Sequence, residues 1–576
     1  MTGSSLSSSQ PHHQAPGHSG AQEGAALSSL QAARSAITAL ARTGVRDVVL
    51  APGSRSAPLA YALAEAQAQG LVHVHVRIDE RVAGFTALGL ARGGARPAAV
   101  VTTSGTAVGE LLPAVMEAHH AGVPLVVLSA DRPAELHGTG ANQTTVQDGI
   151  FGRFPAAAAD IEAGMDPAGP IAAAFAKLDG QQAPAGPVHI NLQFRDPLIP
   201  TEADVLDAAA VPAFEALPTA GAEEAPGALA KLGGIHRTVV IAGDGAGETA
   251  AIFARRAGLP LLAEPSSNAR FGPNSITAYR LLLADLGPQI ERAVIFGRPT
   301  LSRPVAALLS RPDVEKALYL PRPVNWFAPG KRPETLITDL ASLLAFAGRG
   351  APGWLETWQQ ASAAAEAAIR DLLATETGLS GPHVTGLVWQ NSDANLVLGS
   401  SNTIRDVDLV ASGNWHPLDV YANRGLAGID GTISTASGIA LSHGIPTRLL
   451  LGDLTFLHDA GGLLLGDGEA EPDLQLVVLN DAGGGIFTTL EHGELGERAE
   501  YRDVVERFFG TPHRADLAAL AAGYRVRHRT ARNAQELEAA LQAPVQGRSI
   551  IEVKVERSGL RALHRRVQAA VHSALS

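Results

Sequence analysis

The chain has 576 residues, 46% of them apolar and 18% charged, with a formal net charge of -12 and no cysteine. That length exceeds a single hydrophobic core and implies about three or four compact units. The acidic balance, without any basic run interleaved with aromatics, argues against nucleic acid as a partner. The lack of cysteine excludes disulfides, thiolate nucleophiles and Cys-ligated zinc or iron.

Residues 1–24 are rich in Ser, His, Gln and Gly, and read as a disordered tail in which His12 and His13 are no metal site. They lack the basic and apolar regions of an export signal, and no later stretch has the ~18 apolar residues of a membrane span. The expectation is a cytoplasmic protein without membrane insertion.

From Ala25 the apolar pattern alternates between helical and strand periods. SLQAARSAITALARTG is followed by DVVLAPGS, PLAYALAEAQAQG by VHVHVRIDE, VAGFTALGLARGG by AAVVTTSG, and AVGELLPAVMEAHHAG by PLVVLSADRP. Repeated units of this kind make a parallel sheet with helices on both faces. This first α/β unit spans 25–200 and closes with PVHINLQFRDPLIP. An Ala-, Pro- and Glu-rich linker occupies 201–226. A second unit, 227–345, carries the strands TVVIAGDG, LPLLAEP, RAVIFGRP and KALYLP. A third, 350–576, opens on the helix Trp354 to Leu373 and carries strands at DLVASGN, RLLLGD, LQLVVLND, YRVRHR and SIIEVKVE. The fold class is therefore α/β, with three doubly wound parallel-sheet domains in series.

In such sheets ligands sit beyond the carboxyl ends of the strands. Those ends carry Ser54 and Arg55, Asp79 and Glu80, Ser104 to Thr106, and Asp131 and Arg132. In the third unit Asp453 and Asp481 end two strands, where their oxygens suit a hard cation such as Mg²⁺. Leu454 and Thr455 open an amphipathic helix, LTFLHDAGGLLLG, whose free N–H groups suit a diphosphate. The glycines 483 to 485 permit close backbone approach, and Gly483 offers a carbonyl ligand.

Other chemistries leave little trace. No G-x-S-x-G, H-E-x-x-H or P-loop is present, and His119 and His120 read as surface residues. Gly245, Gly247 and Ala250 fit G-x-G-x-x-A after a strand, with Glu264 at the end of the next, which taken alone suggests a dinucleotide fold.

The Gly452-Asp453 pair, followed after about 27 residues by Asn480-Asp481, resembles the cofactor motif of thiamine-diphosphate enzymes. Two departures stand out. The gap to Asp481 is one residue longer, and Asp occupies the place usually held by Asn. Asp481 is the expected second metal ligand, with Asn480 the alternative. The resemblance also implies that Glu80 is catalytic, hydrogen-bonding the cofactor's aminopyrimidine N1′ and favouring the tautomer that deprotonates the thiazolium. It implies that the middle unit is Rossmann-like without a nucleotide.

The segments APGSRSAPLA, HVRIDERVAGFTALGLA, TTSGTAV, LSADRPAELHGTGANQT, FGRPTLSRPV, GSSNTIRDVD, YANRGLAGIDGTISTASGIA, LLGDLTFLHD and NDAGGGIF resemble one family within that superfamily, 2-succinyl-5-enolpyruvyl-6-hydroxy-3-cyclohexene-1-carboxylate synthase of menaquinone biosynthesis. The likeness implies decarboxylation of 2-oxoglutarate and 1,4-addition of the succinic semialdehyde anion to isochorismate. It implies thiamine diphosphate with Mg²⁺, or Mn²⁺, and a homodimer or homotetramer whose cofactor lies between two chains. Both substrates are dianions, for which Arg55, Arg132, Arg303, Arg405 and Arg424 stand at family motif positions. Ser54, Asn142, Gln143 and Ser401 are the implied hydrogen-bonding partners of substrate, and Ile429 and Ile486 flank the cofactor's bend. Ala482 departs from the polar residue usual there. The alternatives are another thiamine enzyme of the acetohydroxyacid synthase or benzoylformate decarboxylase type, an NAD-linked oxidoreductase, and a cofactor-free regulatory relative.

Overall fold

A computed structural model of the chain describes residues 26–178, 183–201, 206, 233–328, 330–414, 417 and 419–576. The tail at 1–24, and the expected linker apart from Thr201 and Leu206, lie outside these residues.

The first sheet contains β1 (Asp47–Leu50), β2 (His73–Val76), β3 (Ala98–Thr102), β4 (Leu125–Asp131), β5 (Ala157–Ile161) and β6 (Val188–Gln193). Its order is β2-β1-β3-β4-β6-β5, and every pairing is parallel. β3, β4 and β6 are buried along their whole length, as their unbroken apolar runs demand of strands covered on both faces. One face packs Ile37, Leu40, Leu59 and Leu128, and the other Val49, Phe85, Leu88 and Val115.

The middle unit pairs the short β7 (Ile235–His236) and β13 (Arg349–Gly350) beside a five-stranded sheet. That sheet holds β8 (Thr238–Ala242), β9 (Leu261–Ala263), β10 (Arg292–Phe296), β11 (Glu315–Tyr319) and β12 (Thr335–Ile337), in the order β12-β11-β10-β8-β9. The Trp354–Ala374 helix, expected to open the third unit, covers this sheet. Trp354 and Trp358 share a core with Val239, Ile241 and Leu282, and with Leu563 and Val567 of the C-terminal helix Leu560–Leu575. The Trp354 indole donates to the carbonyl of Thr238 at 2.9 Å.

The third sheet contains β14 (Asn395–Leu398), β15 (Val420–Tyr421), β16 (Thr447–Gly452), β17 (Leu474–Asn480), β18 (Arg527–Ala531) and β19 (Arg548–Lys554). Its order, β15-β14-β16-β17-β19-β18, repeats that of the first sheet strand for strand. In each sheet the strand order thus reverses between the first and third strands, the place where doubly wound sheets open a crevice.

Two elements differ from expectation. DLVASGN is no strand: Asp408 to Val410 end the helix Asn402–Val410, and the strand is β14, just upstream. A short apolar run does not by itself separate a buried strand from a buried helix, and burial of Asp408 at its start was invisible locally. The helix expected over LTFLHDAGGLLLG is only Asp453–His458, followed by a 3-10 turn at Ala460–Leu463. Asp459 stops it, its carboxylate accepting the Ser434 N–H (2.8 Å) and hydroxyl (3.1 Å). His119 and His120 are half-buried rather than on the surface, packed edge-on with centroids 5.0 Å apart.

The first and third units meet where the Glu80–Gly94 helix crosses Thr432–His443 at backbone contact. A Cβ at Gly89 would lie 2.1 Å from the Thr435 carbonyl oxygen, and one at Gly438 2.1 Å from that of Thr86. Among the described residues no helix is long and apolar enough to cross a membrane.

Candidate active site

At the crevice between β14 and β16 lies a cavity of about 650 Å³. Its wall includes Ser401, Arg405, Ile429, Asp453, Leu454, Thr455, Asp481, Gly483 and Ile486, which are nine of the expected site residues. The order of the sheet explains the gathering. β14 delivers Ser400 and Ser401, β16 delivers Asp453, and β17 delivers Asp481, all at carboxyl ends of neighbouring strands.

Asp453 is buried, 2% exposed. Its Oδ1 accepts the Leu454 N–H at 2.7 Å, and its Oδ2 accepts the Gly483 N–H at 3.0 Å. Asp481 Oδ1 accepts the same Gly483 N–H at 3.1 Å, so one amide lies between the two carboxylates. Burial raises the Asp453 carboxyl above its ordinary value. Asp481 is pushed up to about 7, first by burial and then by the Asp453 carboxylate. A carboxyl whose ionisation is hindered by burial and by a neighbouring carboxylate is relieved by a shared cation.

The donor set fits a hard divalent ion bound to a diphosphate. It offers oxygen only, and among the described residues no group of three or more His, Asp or Glu side chains stands ready to complete a metal shell. Mg²⁺ ordinarily takes such a site, keeping positions for phosphate oxygens and water. The loop needs its glycines: a Cβ on Gly485 would lie 2.1 Å from Asp481 Oδ2, and one on Gly483 2.4 Å from the Gly510 carbonyl oxygen. Just before them Ala482 takes φ 56°, a left-handed conformation that Asn adopts more readily than Ala. Asn480 faces elsewhere. Its Nδ2 donates to Glu552 at 2.7 Å and its Oδ1 accepts the Ala482 N–H at 3.1 Å.

A second set of expected residues gathers at the matching crevice of the first sheet. Arg132 Nη1 donates to the Gln143 carbonyl at 2.8 Å and to the Ser104 hydroxyl, and Gln143 Nε2 donates to the Ser104 carbonyl at 2.9 Å. Arg55 donates to the Phe194 carbonyl at 2.9 Å, and Ser54 and Asn142 are exposed. Glu80 begins its helix behind the cap Asp79, whose side chain accepts the Val82 N–H at 3.0 Å. None of these residues lies on the wall of the 650 Å³ cavity.

Two more of the expected arginines lie off the cavity wall. Arg303 is exposed and forms a two-pronged pair with Glu491 at 2.6 and 3.2 Å. Arg424 is buried, donates to the Thr300 hydroxyl at 2.8 Å, and lies near enough to Arg405 to lower that group's pKa, after the larger effect of burial. The dinucleotide-like residues of the middle unit are engaged internally. Glu264 accepts the N–H groups of Thr300 and Leu301, both at 2.8 Å, and burial pushes its carboxyl up to about 8. At 2% exposure the Glu264 carboxylate is closed to a ribose.

Sequence reasoning missed His513. Its Nδ1 accepts the Ala515 N–H at 3.2 Å, which leaves Nε2 protonated and donating to Asp453 Oδ2 at 3.1 Å. The pair is separated by 60 residues, and no local pattern links them.

Residues 30–150 match the family model for the thiamine pyrophosphate enzyme, N-terminal TPP binding domain. The 2-succinyl-5-enolpyruvyl-6-hydroxy-3-cyclohexene-1-carboxylate synthase of Paenarthrobacter aurescens (strain TC1) is 58% identical over 560 residues, covering 95% of this chain and 98% of that protein. The protein of the same name from Renibacterium salmoninarum is 56% identical over 561 residues, covering 96% and 98%. Among solved structures, benzoylformate decarboxylase from Polynucleobacter necessarius superposes with a TM-score of 0.66 at 17% identity, covering 91% of this chain and 98% of that one, a likeness of fold. With the cavity, its paired carboxylates and these relatives together, the chain belongs to the 2-succinyl-5-enolpyruvyl-6-hydroxy-3-cyclohexene-1-carboxylate synthase family of thiamine-diphosphate-dependent enzymes.

Proposed function

We propose that this protein decarboxylates 2-oxoglutarate and adds the resulting four-carbon unit to isochorismate in a 1,4-addition, using thiamine diphosphate and Mg²⁺. The observation that carries the reading is the single cavity that joins the buried Asp453 and half-buried Asp481 carboxylates to Arg405 and Ser401. Such a wall pairs a cation cradle with a guanidinium fork for a carboxylate.

When bound, the cofactor supplies the carbanion chemistry that no side chain offers. Asp453 and Asp481 hold the cation as carboxylates, with the Gly483 carbonyl as third protein ligand. Leu454 and Thr455 would hold the cofactor's diphosphate, and Ile429 and Ile486 would pack against the cofactor. Glu80 would hold and exchange the proton of the cofactor's aminopyrimidine through its carboxylate. The five arginines 55, 132, 303, 405 and 424 clamp the carboxylates of the two dianions, with Arg303 exchanging Glu491 for substrate. Ser54, Asn142, Gln143 and Ser401 hydrogen-bond substrate oxygens. Holding both partners in register, away from water, favours carbon-carbon bond formation over protonation.

The test is loss of isochorismate ultraviolet absorbance with purified protein, thiamine diphosphate, Mg²⁺ and 2-oxoglutarate, each omitted in turn. Loss that needs all four establishes the reaction. Carbon dioxide release without isochorismate loss rejects the acceptor. For the metal, Asp481→Ala is expected to weaken Mg²⁺-dependent cofactor binding by at least about tenfold, by analogy with the 10–100-fold cost of even outer-shell changes. Asn480→Ala should weaken it less, and calorimetric titration compares them. The reverse ranking would make Asn480 the ligand.

A homodimer is the proposed active unit, with the first unit of one protomer facing the cavity of the other. In support, Glu80, Arg55, Arg132 and Gln143 stand off the cavity wall of their own chain, and large apolar side chains beside the expected residues are exposed: Ile78 at 67%, Val146 at 79% and Leu426 at 47%. Glu80→Gln and Asp453→Ala proteins, each inactive, should on mixing and subunit exchange recover up to about a quarter of wild-type activity, because random pairing leaves one intact site in half the dimers. Sites built within one chain would recover none.

A further inference from the structure

Glu117 lies on the Leu112–Ala121 helix of the first unit and is 4% exposed. Its Oε1 accepts the N–H of Gly425 and its Oε2 that of Leu426, both at 2.7 Å, across a sequence separation of about three hundred residues. These are the two residues that follow Arg424. The carboxylate thus grips the backbone of the arginine's own loop, in a fork of two charge-assisted bonds. Contact is close on that side: a Cβ at Gly425 would lie 2.7 Å from the Glu117 carbonyl oxygen and 2.9 Å from its Cδ.

The middle unit closes the loop from the other side. Arg298 Nη1 donates to the Gly425 carbonyl at 2.7 Å, and the Thr300 hydroxyl accepts Arg424 Nη2 at 2.8 Å. Arg424 itself is 3% exposed, and its Nε and Nη1 have no partner among the described residues. A buried guanidinium with unspent donors is costly unless something anionic completes it. Its backbone must therefore be held where that anion arrives.

We infer that Glu117 is a positioning residue for Arg424, fixing residues 424–426 so that the guanidinium is presented to a substrate carboxylate. The inference rests on the reading of Arg424 as a substrate-binding arginine. It gives Glu117 a task in recognition of a dianion, beyond joining two units of the fold.

The experiment is a double-variant cycle on the full-length enzyme with Glu117→Gln, Arg424→Lys and the pair, measuring KM for 2-oxoglutarate and isochorismate, kcat and the melting temperature. Gln keeps one acceptor and turns an NH₂ against a backbone N–H. KM for at least one dianion should rise about tenfold in Glu117→Gln, the scale of one lost hydrogen bond to a charged group, with a smaller fall in kcat. Arg424→Lys keeps the charge but loses the fork, and adding Glu117→Gln to it should raise KM little further. Additive KM effects would mean that Glu117 acts without Arg424 and would overturn the inference. A fall in kcat and melting temperature at unchanged KM would reduce Glu117 to a structural tie. An unchanged KM in Arg424→Lys alone would remove the reading of Arg424 and the inference with it. If Glu117→Gln does not fold, Glu117→Asp, one methylene shorter at the same charge, is read in the same way.

Discussion

Replacing Glu80 with Gln is expected to lower turnover by about 10²- to 10⁴-fold, the range general acid-base groups contribute, while thiamine diphosphate still binds. The amide keeps the shape of the carboxyl and loses its capacity to exchange a proton. Nothing in the local structure depends on the charge: Asp79 caps the helix through the Val82 N–H, and the Glu80 carboxylate has no protein partner among the described residues. The helix is also locked far from its first residue, at Gly89 and Gly93, against Thr432–His443. The variant should therefore melt like the wild type. Calorimetric titration with the cofactor and a single-turnover assay separate the two effects. Near-wild-type turnover would remove Glu80 from the reaction, and loss of cofactor binding would make its role one of affinity.

The largest structural effect is expected from Gly438→Val. A Cβ at Gly438 would lie 2.1 Å from the Thr86 carbonyl oxygen, 2.7 Å from the Leu90 nitrogen and 2.9 Å from Gly89 Cα. All three neighbours are backbone, so no side chain can turn aside and the two helices must separate. Overpacking of this kind costs about 3 kcal/mol, at the upper end of its usual range. The expected result is a markedly lower first melting transition and a fall in activity of the protein that still folds, because the same helix aims Glu80. Gly523→Ala is the control: a Cβ there meets nothing within 4 Å. Equal melting of the two variants would show that the crossing yields easily.

Much of the fold and part of the site were legible beforehand. Buried parallel strands are apolar throughout, so the abrupt polar residues at Ser54, Glu80, Arg132, Asp453 and Asp481 marked the strand ends where ligands collect. DLVASGN misled because its apolar run is as short as a strand, although Asp408 is buried beneath Arg270 and Tyr279, which both hydrogen-bond to it. β5, with its alternating exposure, offered no such run.

The sequence by itself determined the chemistry available: no thiol, oxygen ligands at the ends of two successive strands, and arginines at strand ends, because strand periodicity and glycine-rich turns are properties of neighbouring residues. Only the tertiary structure decided how these parts divide. It set Arg405 on the cavity wall, Arg303 against Glu491, and the backbone after Arg424 against Glu117. It turned Asn480 to Glu552 and Asp481 to the cavity, and brought His513 to Asp453. Each of these outcomes depends on contacts between segments tens to hundreds of residues apart, and the strand order 2-1-3-4-6-5 that creates both crevices is itself a set of long-range pairings. Such contacts arise from the packing of whole layers and leave no period in the local sequence.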